Sequence, residues 1–577
     1  MCGINGFNFK DIDLIKKMSS ITSSRGPDNQ DYFSTEDYTV GHNRLAIIDL
    51  DKRSNQPFHF KNYILSFNGE IYNYQKIRDK LISIGYKFQT TSDTEVVIKL
   101  FDLSGIESFQ ELSGIFSISI YDTNLKKLYL VRDIVGVKPL YYYHEISTKK
   151  FIYSSLIKSI LISLKNKEIN HEAVTSYSNF NRNDFRETFF KKIYKVLPGE
   201  LVEVTKGEYK RTKILNFRFD IGSDYSLKQD ISNNFSNQFL SDVPVALSLS
   251  GGIDSNIIYH ELLKSKGTNF SSYSVTFENS VKYQEDHNVA KNISEFYGTK
   301  FNSIEVSSKD FRDSAEKIVD IVEEPTGNTN SIANYILSRN VNEKILFSGD
   351  GGDEVFTGYD RYKSIYLLSM IIKFNVFKKF NFKINNKNFN RIFINNSRDL
   401  YLSFSEQNLF KNQSKVFKKF KYLTKTDLNL ILNHSKNIKN QPNLSNVMFH
   451  DMDTWVPNDI LLRNDKIYGD QGIEARVPFL DKDIIEKYMM TNDFSKYGIL
   501  FKSKNILFKN YRKKLKLSVK KKLGFNSPFA AWLREEIFDF AKDILSKDYY
   551  NSSEIIDYDA CQKLLQTHKD QYSDPYL

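Results

Sequence analysis

The sequence predicts two domains of different fold class: a layered α+β domain over residues 1–205 and an α/β domain with a doubly wound parallel sheet over residues 231–577. In the first range short strands predominate and amphipathic helices lie between them, which is typical of packed α and β layers. In the second range strands and helices alternate, which predicts ligands beyond the carboxyl ends of parallel strands. Residues 206–230 are polar and turn-rich, and they predict a linker.

Length and composition limit the class of protein. A chain of 577 residues is too long for one core, and its 40% hydrophobic and 14% aromatic content is typical of globular domains. There is no run of 18 apolar residues and no basic-then-apolar leader, so we expect a cytoplasmic protein without membrane insertion. The two cysteines, Cys2 and Cys561, provide neither a disulfide framework nor a zinc-ligand spacing.

The net charge of +11 comes from lysines spread along the chain, densest in residues 512–522. A nucleic-acid partner is one interpretation, but dispersed lysine more often forms a solvated surface. We therefore expect small-molecule substrates and no nucleic-acid partner.

A glycine-containing loop organises the second domain. An apolar run from Val243 to Leu249 predicts a buried strand, and residues 256–266 predict a helix. Between them, residues 250–255 read Ser-Gly-Gly-Ile-Asp-Ser. Small residues before a helix allow backbone N–H groups to approach an anion, and Asp254 is suited to hold Mg²⁺ against phosphates. The loop resembles the pyrophosphate loop of enzymes that adenylate a substrate and release pyrophosphate (PPi), and no Walker Gly-Lys-Ser/Thr follows it.

A second acidic, glycine-rich loop follows the predicted strand 344–347. It reads Ser-Gly-Asp-Gly-Gly-Asp-Glu over residues 348–354. Because both loops follow strands of one parallel sheet, Asp254 and Asp353 could meet at one Mg²⁺–pyrophosphate site. The alternative is two unrelated acidic turns.

The N-terminus offers a nucleophile. Removal of Met1 would leave Cys2 first, with an α-amine whose pKa is about 8 beside its own thiol, so that one residue supplies both nucleophile and base. Asn68-Gly69 follows an alternating strand; such a pair is usually a hairpin turn, but it can also present an amide and an N–H to an oxyanion.

These residues, with the motifs around Arg25, Arg44, Asp93 and Arg132, resemble the class II glutamine amidotransferase domain, an N-terminal-nucleophile hydrolase with an αββα sandwich. The resemblance implies that Cys2 attacks the glutamine amide and that Asn68 and Gly69 form the oxyanion hole. Arg44 would bind the glutamine α-carboxylate, and Asp93 with Glu70 would hold its α-amino end. The product would be ammonia.

The second half resembles the synthetase domain of glutamine-hydrolysing asparagine synthetases, including residues 472–481 and Lys504. The resemblance implies that ATP adenylates a carboxylate, aspartate in the namesake enzymes, and that ammonia from Cys2 reaches the acyl carbon through an internal channel. It assigns pyrophosphate binding to Ser250, Gly251, Gly252, Asp254 and Ser255, the adenosine site to Ser248, Val275, Ser348 and Gly349, and Mg²⁺ to Asp254 and Asp353. Lys504 would stabilise charge at the α-phosphate and the intermediate.

Two departures from that family pattern concern the acceptor. Asp350 stands where Gly-Glu-Gly is common, and Glu324-Pro-Thr-Gly-Asn-Thr-Asn330 stands where the family often reads Glu-Pro-x-Ala-Asp-Pro-Ser. Asparagine synthesis, amidation of another carboxylate such as a sugar acid, and a non-catalytic binding role therefore stay open, with intact Cys2, Asp254 and Lys504 favouring an enzyme.

Three further expectations are structural. Glu474 and Arg476 before Val-Pro-Phe-Leu predict a core ion pair. Residues 365–445 predict helices, and the resemblance suggests a homodimer.

Overall fold

The computed structural model describes residues 1–219, 226–278, 280–373, 416–418, 443–491, 493–498, 502–512, 515, 527–546 and 554–570. Within these ranges, none of the helices combines the length and the apolar composition needed to cross a membrane. The predicted helical stretch 365–445 lies mostly outside the described residues.

Two six-stranded antiparallel sheets form the first domain, in the orders β10-β8-β9-β1-β3-β2 and β12-β11-β7-β6-β5-β4. The strands are Gly3–Phe7 (β1), Asn29–Ser34 (β2), Thr39–Arg44 (β3), Phe58–Phe60 (β4), Tyr63–Ile71 (β5), Gly114–Asp122 (β6), Lys127–Arg132 (β7), Tyr141–Glu145 (β8), Lys150–Ser154 (β9), Ile193–Lys195 (β10), Glu200–Thr205 (β11) and Glu208–Lys213 (β12).

Helices cover the outer face of each sheet. The helices of this domain are Ile12–Ile21 (α1), Tyr74–Ser83 (α2), Asp93–Ser104 (α3), Ile157–Leu161 (α4) and His171–Phe180 (α5). Residues such as Ile4, Val40 and Leu130 fill the space between the sheets. Helices α2 and α3 pack on one outer face, and α1 and α4 pack on the other. The domain is therefore the predicted αββα sandwich.

The second domain contains a five-stranded sheet in the order β15-β14-β13-β16-β17, and all its pairs are parallel. The strands are Val245–Ser248 (β13), Ser271–Phe277 (β14), Lys300–Val306 (β15), Ile345–Phe347 (β16) and Glu474–Arg476 (β17). From β13 the chain continues to β14 and β15 on one side of the sheet, and from β16 it continues to β17 on the other. Strands β13 and β16 therefore flank the topological switch point, where such sheets bind ligands.

Outside this sheet, most of the described residues of the domain are helical. The helices are Leu227–Gln238 (α6), Ile253–Lys266 (α7), Val281–Tyr297 (α8), Ser308–Val322 (α9), Asn330–Asn340 (α10), Gly352–Phe356 (α11), Asp360–Lys373 (α12), Leu444–Asp453 (α13), Leu461–Gly469 (α14), Lys482–Tyr488 (α15), Asp493–Tyr497 (α16), Asn505–Tyr511 (α17), Phe529–Trp532 (α18), Phe538–Ile544 (α19) and Tyr558–Asp570 (α20). A π-helical turn, Val456–Ile460, precedes α14.

One hydrophobic cluster crosses the boundary between the domains. It contains Cys2, Leu45 and Tyr72 from the first domain together with Leu247 and Val477 from the second. Strand β12 and the start of α6 both fall within the predicted linker 206–230, and the domain limits stay a prediction.

Candidate active sites of the two domains

Cys2 lies directly before β1 and is only 8% exposed. Its backbone N–H donates to Asn68 Oδ1 at 2.9 Å, and its Sγ lies 3.9 Å from the Leu45 carbonyl oxygen. Burial raises the pKa of the Cys2 thiol. Met1 is still attached here, so the nitrogen that donates to Asn68 is that of a peptide bond. After removal of Met1, the same nitrogen would become the α-amine.

Asn68 and Gly69 are not in a hairpin turn, because β5 continues through them to Ile71. Gly69 has a φ of +140°, and a Cβ there would lie 1.9 Å from the Ile115 carbonyl oxygen. Only glycine fits this position. Asn68 is fully buried, and its Nδ2 has no hydrogen-bond partner among the described residues. That amide and the Gly69 N–H are the two donors that the family resemblance assigns to the oxyanion hole.

Arg44 and Asp93, which the resemblance assigns to glutamine binding, form hydrogen bonds with other groups of the first domain. The Arg44 guanidinium donates to the carbonyl oxygens of Asp49 and Asp51 and to Asn55 Oδ1, the last at 2.8 Å. It therefore supports the loop after β3. Asp93 Oδ2 accepts the Ile71 N–H at 3.0 Å, and burial raises the pKa of Asp93 to about 7.

Glu70 faces the second domain. Its carboxylate lies 3.5 Å from the Arg476 guanidinium, and burial, with Glu474 nearby, raises its pKa well above the usual range. Arg476 also bonds Glu474 at 2.8 Å, and both side chains are at most 2% exposed, which confirms the predicted core ion pair. Although burial opposes ionisation, Lys138 and Arg476 lower the pKa of Glu474 to about 2.

A second buried contact between the domains was not predicted from the sequence. Arg25 donates Nε to the Cys2 carbonyl oxygen at 3.1 Å and Nη2 to Asp465 Oδ2 at 2.8 Å. Lys138, which is fully buried, lies 3.9 Å from Asp465 and 3.6 Å from Glu474. The peptide at the nucleophile is therefore tied to α14 of the second domain. Arg25 lies in one of the motifs on which the family resemblance rests, but the sequence did not indicate these partners.

The first loop of the second domain is tightly folded. The Ser250 and Ser255 hydroxyls lie 3.1 Å apart, and the Gly252 N–H donates to Ser250 Oγ at 3.2 Å. A Cβ on Gly251 would lie 2.9 Å from Asp286, and one on Gly252 would lie 2.6 Å from the Asp254 carboxylate. The glycines therefore allow the loop to approach both carboxylates. Helix α7 begins at Ile253, three residues before its predicted start, so Asp254 lies in its first turn.

The two acidic loops are in contact across the switch point. A Cβ on Gly349 would lie 3.1 Å from Asp254 Cβ. Lys504, 4% exposed and in a left-handed conformation with φ +56°, inserts its ammonium between the carboxylates. Its Nζ pairs with Asp254 and lies 2.5 Å from Asp353 Oδ1. Both carboxylates therefore face one position that accepts a cation, as a shared Mg²⁺ would require.

The other residues assigned by resemblance lie on the same strands and loops. Ser248 and Val275 are on β13 and β14. Ser348 directly follows β16, and its hydroxyl donates to Asp350 Oδ2 at 2.5 Å. Asn464 of α14 donates to the same Asp350 oxygen at 2.7 Å. Asp350 is thereby oriented from two sides.

A buried ion pair that sequence reasoning missed joins Arg463, directly before Asn464, to Asp459 one helical turn earlier. Arg463 Nε bonds Asp459 Oδ1 at 2.7 Å, and Trp455 Nε1 donates to Asp459 Oδ2 at 3.0 Å. Burial opposes ionisation of Asp459, but Arg463 holds its pKa below the usual range. Arg463 Nη1 has no hydrogen-bond partner among the described residues. Asn328 Nδ2 lies 3.5 Å from Asp459, so the altered segment 324–330 reaches this pair.

The fold and these two centres define a glutamine-hydrolysing, ATP-dependent ligase. Residues 1–214 match the glutamine amidotransferase domain, and residues 226–576 match asparagine synthase. The chain belongs to the asparagine synthase family, which uses ATP as a substrate.

The named relatives include asparagine synthetases and an amidase. Asparagine synthetase [glutamine-hydrolyzing] 1 of Bacillus subtilis is 28% identical and covers 98% of this chain and 93% of its own length. Asparagine synthetase B [glutamine-hydrolyzing] of Escherichia coli is 27% identical over 62% of this chain and 65% of its own length. Amidase chyE of Penicillium rubens is 28% identical over 62% of this chain and 56% of its own length.

Proposed function

We propose that this enzyme transfers ammonia from glutamine to the side-chain carboxylate of aspartate, making asparagine, glutamate, AMP and PPi. The observation that carries the choice of acceptor is the Asp459–Arg463 pair beside Asn464 and Asp350. An amino acid carries one ammonium and one carboxylate besides its reacting side chain. Asp459 can accept the first, and the open Nη1 of Arg463 can donate to the second.

Cys2 carries the first reaction. Its α-amine takes the thiol proton, and the thiolate attacks the amide carbon of glutamine. Asn68 Nδ2 and the Gly69 N–H stabilise the oxyanion, and collapse of this intermediate expels ammonia as the α-ammonium of Cys2 returns its proton to the leaving nitrogen. Water then hydrolyses the thioester to glutamate. The enforced geometry of Gly69 supports this assignment, because β5 holds both donors rigidly beside Cys2.

The second reaction has two steps. An oxygen of the acceptor carboxylate attacks the α-phosphorus of ATP and PPi leaves; ammonia then attacks the acyl carbon, loses a proton, and AMP leaves. The loop 250–255 would bind the pyrophosphate, and Lys504 would stabilise charge at the α-phosphate and in the tetrahedral intermediate. Asp350, held by Ser348 and Asn464, is placed to accept the proton.

Asp254 and Asp353 would hold Mg²⁺. When bound, this ion would neutralise charge on the pyrophosphate leaving group. Their shared contact with the Lys504 ammonium supports a cation between them. The homodimer and the cytoplasmic location stay predictions.

A second candidate is the same chemistry on a different carboxylate, such as a sugar acid. One observation favours it: Gly327 and Asn328 depart from the family pattern, and Asn328 reaches Asp459. A change beside the Asp459–Arg463 pair can alter which carboxylate the enzyme binds.

The experiment is PPi release by the purified enzyme with ATP, Mg²⁺ and glutamine, with and without aspartate. We expect aspartate-dependent PPi in a one-to-one ratio with asparagine. Glutamine hydrolysis without aspartate-dependent PPi would contradict aspartate as the acceptor, and uronic acids would then be tested in the same assay.

A further inference from the structure

The turn that follows α5 in the first domain lies against the acceptor side of the second domain. Asn181 ends α5 in a left-handed conformation with φ +57°. The Ser176 hydroxyl donates to the Arg182 carbonyl oxygen at 3.1 Å and accepts the Asp184 N–H at 3.0 Å. The turn 181–184 is thus fixed to its own helix.

Three contacts connect this turn, and the segment after it, to the second domain. Asn181 packs on Gly327, where a Cβ would lie 3.2 Å from Asn181 Cβ and Cγ. Asp184 Oδ1 accepts Asn458 Nδ2 at 3.3 Å. Glu324 Oε1 accepts the Phe189 N–H at 3.2 Å and lies 3.5 Å from Asn183 Nδ2.

The second-domain residues in these contacts lie next to the Asp459–Arg463 pair, the proposed partners of the acceptor. Gly327 precedes Asn328, whose amide lies 3.5 Å from Asp459, and Asn458 directly precedes Asp459. Lys195, also from the first domain, is 3% exposed and lies 3.3 Å from Asn458 Oδ1. Asp459 is therefore approached through both of these neighbours by first-domain side chains.

We propose that the amidotransferase domain forms one wall of the acceptor site, and that the contact of Asn181 with Gly327 is a specificity-determining feature of this enzyme. Asn181 is a positioning residue, since it acts through the loop 326–330 on Asn328 and Asp459. Glycine at 327 allows this close approach, since a Cβ there would meet Asn181 at 3.2 Å, and 327 is one of the positions at which the chain departs from the family pattern. The inference rests on the proposed function, because it takes Asp459 and Arg463 as the acceptor contacts.

The test uses a graded pair of substitutions and a rescue. Gly327→Ala introduces a Cβ at 3.2 Å from Asn181, and Gly327→Val introduces larger atoms there. Asn181→Gly keeps the left-handed backbone and removes the opposing side chain. Each single variant is assayed as the full chain, and so is the double variant Gly327→Ala/Asn181→Gly. The substrates are free ammonia, ATP and aspartate, so that the reaction does not depend on Cys2.

We expect Gly327→Ala to raise the KM for the acceptor about threefold and Gly327→Val about tenfold or more, with the KM for ATP and glutaminase kcat unchanged. The double variant should recover most of the loss caused by Gly327→Ala, as coupled neighbours do. An unchanged acceptor KM in Gly327→Val would overturn the proposal. Additive losses in the double variant would also overturn it.

Failure of the proposed function has a different signature. It appears in the wild type, as PPi release that does not respond to aspartate. The proposal that the amidotransferase domain forms one wall of the acceptor site is then tested with the same variants, using the carboxylate that does elicit PPi release. Unchanged glutaminase activity in every variant checks that the first domain is folded.

Discussion

The two reaction centres differ in where their polar groups originate. Around Cys2, Asn68 and Asp93 are held by neighbouring strands and loops of one sandwich, and the fixed register of β5 sets their positions. The centre of the second domain instead combines Asp254, Asp353 and Lys504, of which the first and last are 250 residues apart in sequence. The first centre is specified by strand geometry and the second by convergence of charges. Substitutions should therefore act locally in the first centre and through charge balance in the second.

The largest expected effect is the loss of glutamine-dependent amidation while ammonia-dependent amidation continues. Cys2→Ala should abolish glutamine-dependent amidation, by about 10³-fold or more, because the nucleophile is lost. Amidation with free ammonia should be unchanged. Cys561→Ala, which removes the other buried cysteine, is the matched control and should leave both activities intact. If ammonia failed to support Cys2→Ala, the division into two centres would be wrong.

Asp254→Asn should produce the opposite separation. Without the carboxylate that faces Lys504, PPi release should fall about 10²- to 10³-fold, whereas glutaminase activity should persist. Asp353→Asn should give the same pattern. Persistent PPi release in Asp254→Asn would remove this residue from the pyrophosphate–metal site.

Sequence reasoning succeeded where a motif and a local pattern coincide. Alternating strands and helices, with a glycine-containing loop after β13, predicted the parallel sheet and the loop positions. The buried Glu474–Arg476 pair was also predicted correctly, because two charges inside an apolar run have to be paired.

It failed where a contact depends on two distant segments. Asn68-Gly69 has the composition of a hairpin turn, and only the packing of β6 against Gly69 shows why a strand continues there. Arg25, Asp465, Asn181 and Gly327 lie in segments with no local signal for the contacts they make across the domain boundary. Their partners become visible only when both domains are assembled.

Arg25 connects the two regions directly, and its removal should affect both stability and the first reaction. Arg25→Met leaves Asp465 buried without its closest cation, which should lower the free energy of unfolding by about 3 kcal/mol. Glutaminase activity should also fall, since the Cys2 carbonyl loses a donor. Denaturant unfolding and glutaminase assays measure the two effects.

The control for Arg25 is an exposed ion pair. Lys10 pairs with Glu36 at 2.5 Å, but the side chains are 52% and 80% exposed. Lys10→Met should therefore cost no more than about 0.5 kcal/mol. Equal costs for Arg25→Met and Lys10→Met would mean that the buried pair contributes nothing beyond a surface pair.

A smaller effect is expected at Asp459, the proposed partner of the acceptor ammonium. Asn328→Asp restores the carboxylate that the family pattern has at this position and places a second negative charge beside Asp459. Because this charge attracts the ammonium, the KM for aspartate in the ammonia-dependent reaction should fall, by up to about tenfold, near 1.4 kcal/mol. Asn328→Ala removes only a long hydrogen bond and should have less effect. A higher KM for aspartate in Asn328→Asp would contradict the assignment of Asp459 to the acceptor ammonium.

The smallest effect is a pH dependence in the first centre. Burial raises the pKa of Asp93 from 3.8 to about 7, so its carboxylate gains a proton as the pH falls through neutrality. Only the ionised form can pair with the ammonium of glutamine. The KM for glutamine should therefore rise about fourfold between pH 8 and pH 6.5 and be nearly constant above pH 8. In Asp93→Asn the KM should be high throughout and independent of pH in this range. The same slope in Asp93→Asn as in the wild type would assign the titration to another group, with the α-amine of Cys2 as the first to examine.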